Sequence, residues 1–181
     1  MLDFLVGTYS IEDFKKYYST LSDLRDFYVS RTHREPGPFE LGPDEEQHVL
    51  RNPDHLIIFA NKGETVGHCV WHETSTEDMI PGDPREDEDR ETLHKLFGGK
   101  KTNLVELHEL WLRSVYRGRG FGQQFFSFFE AYIEAAGFDG IVYYTDHEAA
   151  IAICRQRGYR EAFLKGNGWY VFALPFFLLN K

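Results

Sequence analysis

The stretch LVELHELWL at 104–112, followed by RSVY at 113–116 and RGRGFG at 117–122, decides the fold of this chain. Apolar and polar side chains alternate in the first segment, which is typical of a β-strand. The last segment is rich in glycine, and aromatic side chains then recur at helical spacing toward residue 136. The chain therefore predicts a strand, a tight turn and a helix in direct succession.

Further strands and helices are predicted on both sides of this centre. Strands are predicted at residues 2–6, 56–60, 65–72, 104–112, 141–145, 160–164 and 169–174, and helices behind Ser10 and at 44–51, 91–97, 121–136 and 148–157. The second and third strands are predicted to pair as a hairpin, and so are the last two. From residue 104 onward, the order strand, helix, strand, helix, hairpin indicates a mixed α/β domain with a parallel pair near its centre.

The amino-acid composition restricts the classes of protein to which this chain could belong. With 181 residues, of which 42% are hydrophobic and 16% aromatic, the chain suits one domain with a full-sized core. It contains no run of about 20 apolar residues that could span a membrane, and its N-terminus lacks the basic region of a secretory signal. Two cysteines, Cys69 and Cys154, suit a reducing compartment, which makes the cytoplasm the expected location.

The net charge of −9 bears on the partners of the protein. It disfavours nonspecific binding to nucleic acid or to an anionic membrane, and it favours a cationic partner. Much of the charge lies in an acidic insert at about 74–101, where residues 86–89 are all acidic. This insert is interpreted either as a solvated surface segment or as a lid that attracts a positively charged substrate.

The glycine-rich turn carries the predicted chemistry. Because it opens a helix, it presents backbone N–H groups that have no acceptor within the helix, and the helix dipole adds partial positive charge. Gly118, Gly120 and Gly122 let the backbone bend and approach an anion closely. Arg117 and Arg119 add guanidinium groups, which suit phosphate geometry. Together these features predict a site for a pyrophosphate group.

Two other kinds of phosphate-binding loop fit less well. A Walker loop ends in Gly-Lys-Ser/Thr, whereas Gly122 is followed by Gln123 and Gln124, so no residue is placed to hold magnesium. A dinucleotide-binding fingerprint requires a glycine at position 123 and an acid at the end of the next strand. Asp139 instead precedes the strand predicted at 141–145. A nucleotide-binding protein is therefore the weaker alternative.

A resemblance to a known family rests on this loop and on the helix after the next strand. The segment 110–122 is similar to the central motif of the GNAT superfamily of N-acetyltransferases, in which an apolar strand and a short turn lead into Gln/Arg-x-x-Gly-x-Gly/Ala at the start of a helix. The positions that match this motif and a later family pattern are Arg117, Gly120, Gly122, Ala150, Gly158 and Tyr159. Two positions depart from the family, since His147 replaces the usual asparagine and Cys154 the usual tyrosine.

The resemblance implies both a fold and a cosubstrate. The fold would be a single GNAT-like α/β (α+β) domain with a mixed, mostly antiparallel central sheet, a splayed parallel pair and helices on both faces. The pantetheine arm of acetyl-CoA would bond to strand backbone, and its pyrophosphate would rest on the amides of residues 118–123. The residues implied to bind acetyl-CoA are Leu110, Trp111, Leu112, Arg117, Gly118, Arg119, Gly120, Phe121, Gly122, Gln123 and His147.

Glu109 is the candidate general base, since acetyl transfer requires a neutral amine and a proton must leave it. It lies near the end of the strand at 104–112, where family members often have an acid. Alternation places it between Leu107 and Trp111 on one face, where partial desolvation favours proton uptake. Glu106 and His108, on the other face, are the alternatives if a bulge shifts the register.

Cysteine and histidine side chains supply the remaining candidates. The family tyrosine at the position of Cys154 commonly protonates the departing thiolate, so Cys154 is assigned either that catalytic role or packing as a small hydrophobe. His68, Cys69 and His72 share a strand, but alternation points Cys69 away from the two histidines. Packing is therefore predicted for all three, and no metal site.

The sequence thus predicts an acetyl-CoA-dependent N-acetyltransferase that acts on a primary amine of a small molecule or peptide, with a cationic acceptor favoured. The alternative is a cofactor-binding regulatory module that has lost turnover, which only the substitution at Cys154 supports. No nucleic acid or membrane partner is expected, and homodimerisation is left open.

Overall fold

The computed structural model describes residues 1–8, 54–80 and 82–178. The helices predicted behind Ser10 and at 44–51 lie outside these residues. Within them, no helix has both the length and the apolar character that crossing a membrane requires.

Nine strands and three α-helices form the described part of the chain. The strands are β1 (Asp3–Thr8), β2 (His55–Asn61), β3 (Glu64–Ser75), β4 (Asp78–Ile80), β5 (Asp83–Pro84), β6 (Asn103–Leu112), β7 (Gly140–Thr145), β8 (Arg160–Leu164) and β9 (Trp169–Pro175), and the helices are α1 (Asp87–Leu96), α2 (Phe121–Ala135) and α3 (Glu148–Gln156). Every element predicted within the described residues is present, and no boundary differs by more than four residues. The short strands β4 and β5 were not predicted.

Seven strands form one mixed sheet in the order β1-β2-β3-β6-β7-β9-β8, and β4 pairs with β5 in a separate sheet. Strands β6 and β7 are parallel, from Leu104 opposite Gly140 to Leu107 opposite Tyr143. Strand β9 pairs antiparallel with both β7 and β8. Strand β6 runs on to Leu112, beyond the last residue of the parallel ladder. The predicted mixed sheet with a central parallel pair is confirmed.

The chain divides into two compact units. The first contains β1, β2, the start of β3, the end of β6 and the turn into α2. The second contains the remaining strands, α1, α3 and most of α2. A single domain over residues 1–181 stays a prediction.

Helix α1 lies in the second unit and begins at Asp87, four residues before its predicted start. The acidic run forms its first turn, where the partial positive charge of the helix N-terminus favours carboxylates. Farther along, Leu93, Leu96 and Phe97 are buried in one cluster with apolar residues from β6 to β9. The acidic insert therefore supplies part of the core of this unit, and a purely solvated segment does not describe it.

In the first unit, the backbones of β3 and β6 approach each other very closely at Gly67. A Cβ placed on this glycine would lie 2.1 Å from the carbonyl oxygen of Trp111 and 3.0 Å from the Cα of Leu112. Both are backbone atoms, so neither can rotate away. Next to this point, the N–H of Arg113 donates to the carbonyl of Val66 at 2.9 Å. Only glycine fits at position 67 with this strand spacing.

Gly67→Ala is expected to lower the free energy of unfolding by about 3 kcal/mol, the upper part of the usual range for forcing a methyl group into a packed site. Gly7→Ala is the matched control, since a Cβ at Gly7 meets nothing within 4 Å. Urea denaturation of both variants measures the difference. Equal stability of the two variants would contradict the close approach of β3 and β6.

Candidate functional site

The turn between β6 and α2 bends at two of the three glycines to which the sequence analysis assigned this role, and Gly122 lies within α2. Gly118 and Gly120 have positive φ angles of 71° and 78°. Residues that carry a Cβ rarely adopt this left-handed backbone conformation. The first helical hydrogen bond runs from the N–H of Gln124 to the carbonyl of Gly120, at 3.2 Å. The amides of residues 121 and 122 precede this bond and have no acceptor within the helix. They form the first turn of an α2 N-terminus that suits an anion.

Arg117 and Arg119 are both exposed beside this helix N-terminus. The Nε of Arg117 donates to the carbonyl of Leu112 at 2.9 Å, which ties its side chain to the end of β6. The guanidinium of Arg119 lies 5.8 Å from the centre of the Tyr116 ring, within range of a cation–π interaction. The two side chains are thus held near the turn by contacts that leave further N–H donors for a phosphate.

Tyr116 restrains the turn through a ring contact and a hydrogen bond. Its ring centre lies 5.9 Å from that of Phe121, the first residue of α2, and its hydroxyl donates to the carboxylate of Glu64 on β3. A pyrophosphate-binding loop must hold its amides in one arrangement before the anion arrives, because ordering them on binding would cost affinity. The contacts of Tyr116 supply that restraint within the first unit.

Glu109 lies in the same unit as the loop and shares a hydrogen bond with a histidine. Its Oε1 lies 2.7 Å from Nε2 of His68, on β3. The His68 side chain is fully buried, whereas 17% of the Glu109 side chain is exposed. The imidazole also stacks on Trp111, with ring centres 5.4 Å apart. The carboxylate is therefore oriented by a buried partner and still reaches solvent.

The role of His68 was not found from the sequence, which predicted only packing for it. The available signal was strand geometry, because residues on facing strands meet in pairs. However, neither the pairing of β3 with β6 nor its register can be inferred from the local pattern of residues. His68 is therefore an additional site residue that holds Glu109 in place.

Leu110, Trp111 and Leu112 form the last residues of β6, as predicted. Trp111 is buried, whereas Leu110 and Leu112 are partly exposed. Their predicted contacts with a pantetheine arm are made through backbone groups, and these contacts stay a prediction.

A cavity of about 630 Å³ lies in the second unit. Its walls include Tyr144 from β7, Trp169 from β9 and Leu107 from β6, and among its described lining residues are four carboxylates and no lysine or arginine. The four are Glu86, Glu88, Asp89 and Glu106. A concave space with apolar walls and a few polar groups is typical of small-molecule sites.

Arg85 does not line the cavity, but it contacts three residues that do. These three, Asp89, Glu106 and Tyr144, are called the floor of the cavity. The Arg85 side chain is fully buried, and its NH1 donates to Asp89 at 2.8 Å and to the hydroxyl of Tyr144 at 2.9 Å. That hydroxyl donates in turn to the other oxygen of Asp89 at 2.8 Å. The NH2 group of Arg85 lies 3.8 Å from Glu106. Burial raises the pKa of Tyr144 well above its ordinary value, so the phenol is neutral at pH 7.

Cys154 lies in the second unit, buried on α3. Burial raises the pKa of its thiol to about 12, and the nearby Glu130 carboxylate adds to this effect. Glu130 is itself held by Arg157 and by the Tyr159 hydroxyl, which donates to it at 3.0 Å. A thiol with so high a pKa gives up its proton reluctantly, which favours the packing interpretation over the catalytic one.

Cys154→Ala is therefore expected to cost about 1–2 kcal/mol of stability through the small cavity it leaves, while kcat changes less than about twofold. Thermal unfolding and steady-state kinetics on the same preparation separate the two effects. A thousandfold loss of kcat in a well-folded Cys154→Ala protein would restore the predicted catalytic role.

His147 precedes α3 in the second unit as its N-cap residue and is exposed. Its side chain makes no capping hydrogen bond, and its N–H donates to the hydroxyl of Thr145 at 3.1 Å. The predicted contact of His147 with acetyl-CoA stays a prediction. Among the described residues, no group of three or more His, Cys, Asp or Glu side chains could hold a metal ion.

Comparison with known proteins gives a family and a fold. The model of the acetyltransferase (GNAT) family matches residues 17–159. No curated protein matches the chain in sequence.

Among solved structures, AtaT complexed with acetyl-methionyl-tRNAfMet has a TM-score of 0.57 at 13% identity, with 98% of each chain covered. Arabidopsis thaliana NAA60 in complex with acetyl-CoA has a TM-score of 0.57 at 14% identity, covering 96% of this chain and 99% of the other. Drosophila melanogaster polyamine N-acetyltransferase has a TM-score of 0.58 at 13% identity, covering 96% of this chain and all (100%) of the other. These structures share the fold of the chain.

Proposed function

We propose that this chain, which belongs to the GNAT acetyltransferase family, is an N-acetyltransferase that transfers an acetyl group from acetyl-CoA to a primary amine. The observation that carries this proposal is the helix N-terminus formed by the turn from Gly118 to Gln123. Backbone amides, left-handed glycines and two exposed arginines converge there on one small surface. That arrangement suits the pyrophosphate of a coenzyme A thioester.

The residues of the first unit suit direct transfer. The amine nitrogen attacks the thioester carbonyl, the new C–N bond forms, and the C–S bond then breaks to release the thiolate of coenzyme A. Glu109 accepts the proton that the attacking amine loses, directly or through water. His68 holds the carboxylate in position from its buried side. A thiolate is a stable leaving group, so the scheme requires no protein acid at Cys154.

The acceptor is proposed to be a small molecule rather than nucleic acid. The net charge of −9 disfavours a phosphate backbone as partner. Solved structures of the same fold include AtaT with a tRNA and a polyamine N-acetyltransferase, so the fold itself does not choose between these acceptors. The absence of a nucleic acid partner and the cytoplasmic location both stay predictions.

Two measurements test the proposal. Acetyl-CoA is expected to raise the melting temperature of the protein, whereas ATP and NAD at the same concentration do not. Release of free coenzyme A is then followed with a panel of polyamines, aminoglycosides, amino acids and peptides. Stabilisation by acetyl-CoA without thiol release from any amine would favour the regulatory module instead. Stabilisation by ATP or NAD alone would contradict the assignment of the loop.

A further inference from the structure

We propose that the cavity between β6, β7, β9 and α1 binds the acceptor, and that this acceptor is a linear alkyl polyamine. One ammonium group would be held by Asp89 and Glu106 at the floor. The inference rests on the proposed function, because it names the substrate of that transfer. Two observations support it: the incomplete neutralisation of the carboxylates at the floor, and the apolar and aromatic side chains in the walls.

Among the described residues, the floor of the cavity carries more negative charge than its partners neutralise. Asp89 and Glu106 are largely buried, with 14% and 13% of their side chains exposed, and of the described arginines and lysines only Arg85 pairs with them. His72 lies 3.7 Å from Glu106 and supplies a second positive charge only when protonated. Buried carboxylates without a full set of opposite charges are costly. A cationic group from the ligand would complete the balance.

The walls suit a chain of methylene groups that carries more than one charge. Leu107, Leu164 and the ring of Trp169 line the cavity with apolar surface, and the Trp169 and Tyr144 rings can also face an ammonium group. Glu86 adds an exposed carboxylate farther toward solvent. A lining that combines carboxylates with apolar side chains suits a ligand that combines ammonium groups with methylenes.

The fourth carboxylate has a structural role. Glu88 accepts hydrogen bonds from the N–H groups of Lys165 and Gly166, each at 3.1 Å, and so fixes the β8–β9 turn against α1. Its removal would disturb the shape of the cavity as well as its charge. Glu86 and Glu106 are therefore the better positions for a test.

Chain connectivity links the cavity to the proposed chemistry. Glu106, Leu107 and His108 line it, and the next residue of β6 is Glu109.

The experiment measures spermidine binding by titration calorimetry at low salt without acetyl-CoA, on the wild type and three variants with the same change in charge. Glu106→Gln is expected to weaken binding about tenfold or more, because it removes a largely buried carboxylate from a charge pair. Glu86→Gln is expected to weaken it about two- to threefold, as for an exposed pair. Glu91→Gln is the matched control on α1, since Glu91 is exposed, pairs with Lys95 and does not line the cavity.

Butylamine, which carries one charge, is expected to bind at least about tenfold more weakly than spermidine. Equal affinity for the two amines, or unchanged spermidine binding in both Glu106→Gln and Glu86→Gln, would overturn the inference. If Glu106→Gln fails to fold, the exposed Glu86 decides the question by itself.

Thiol release with spermidine and with a tetrapeptide separates this inference from the proposed function. Acetylation of the tetrapeptide but not of spermidine would overturn the polyamine acceptor and leave the transferase standing. Charge-dependent spermidine binding with no transfer to any amine would instead overturn the proposed function.

Discussion

Glu109→Gln is expected to lower kcat by about 10²–10⁴-fold at pH 7, the usual contribution of a general base. Glutamine keeps the size of the side chain and an oxygen that accepts a hydrogen bond from His68, so the close contact between the two side chains can persist. Affinity for acetyl-CoA should stay near that of the wild type, since the proposed pyrophosphate site lies at residues 117–123. Steady-state kinetics with the best amine of the panel measures the effect.

The pH dependence distinguishes a base from a positioning group. As the pH rises toward the pKa of the amine, more of the substrate arrives already deprotonated, and the deficit of Glu109→Gln should shrink. Glu134→Gln, which makes the same change in charge at an exposed position on α2, is the control. A uniform loss at every pH would assign Glu109 a positioning role. Unchanged turnover would direct the search to Glu106 and His108.

Gly120→Val is expected to abolish acetyl-CoA binding. The φ angle of 78° at Gly120 is one that a β-branched residue adopts only at considerable cost, so the turn must change shape. A Cβ at Gly120 would meet nothing within 4 Å in the described structure, so the backbone conformation is what disfavours valine in the protein alone.

Gly137→Val controls for the backbone strain. Gly137 follows the other end of α2, has a φ angle of 89° and is equally open around a Cβ. Both variants should lose similar stability, but only Gly120→Val should lose the rise in melting temperature that acetyl-CoA causes. A Gly120→Val protein stabilised as much as the wild type would show that the anion binds elsewhere.

Secondary structure was predictable where a short pattern decides it. Alternation in LVELHELWL and the glycine-rich RGRGFG were enough to predict β6, the turn and α2, because each depends on residues adjacent in sequence. The start of α1 was placed too late, because four consecutive acids look like a solvated loop when judged by charge alone. In the folded chain they form the helix N-terminus, where the dipole favours them, and the buried side chains Leu93 and Phe97 anchor the helix.

The same distinction applies to the candidate site: some of its features depend on residues adjacent in sequence, and others depend on tertiary packing. The sequence by itself determined the glycine-rich turn before α2 and the strand that carries Glu109, because local backbone geometry and alternation specify both. Only the tertiary structure decided that His68 faces Glu109, that Gly67 must lack a side chain, and that Arg85 joins Asp89, Glu106 and Tyr144 beneath a cavity. Apart from Arg85 and Asp89, these groups come from segments far apart in the chain, and their contacts depend on strand order and register. Those features follow from the packing of the whole sheet, which no local pattern of residues encodes.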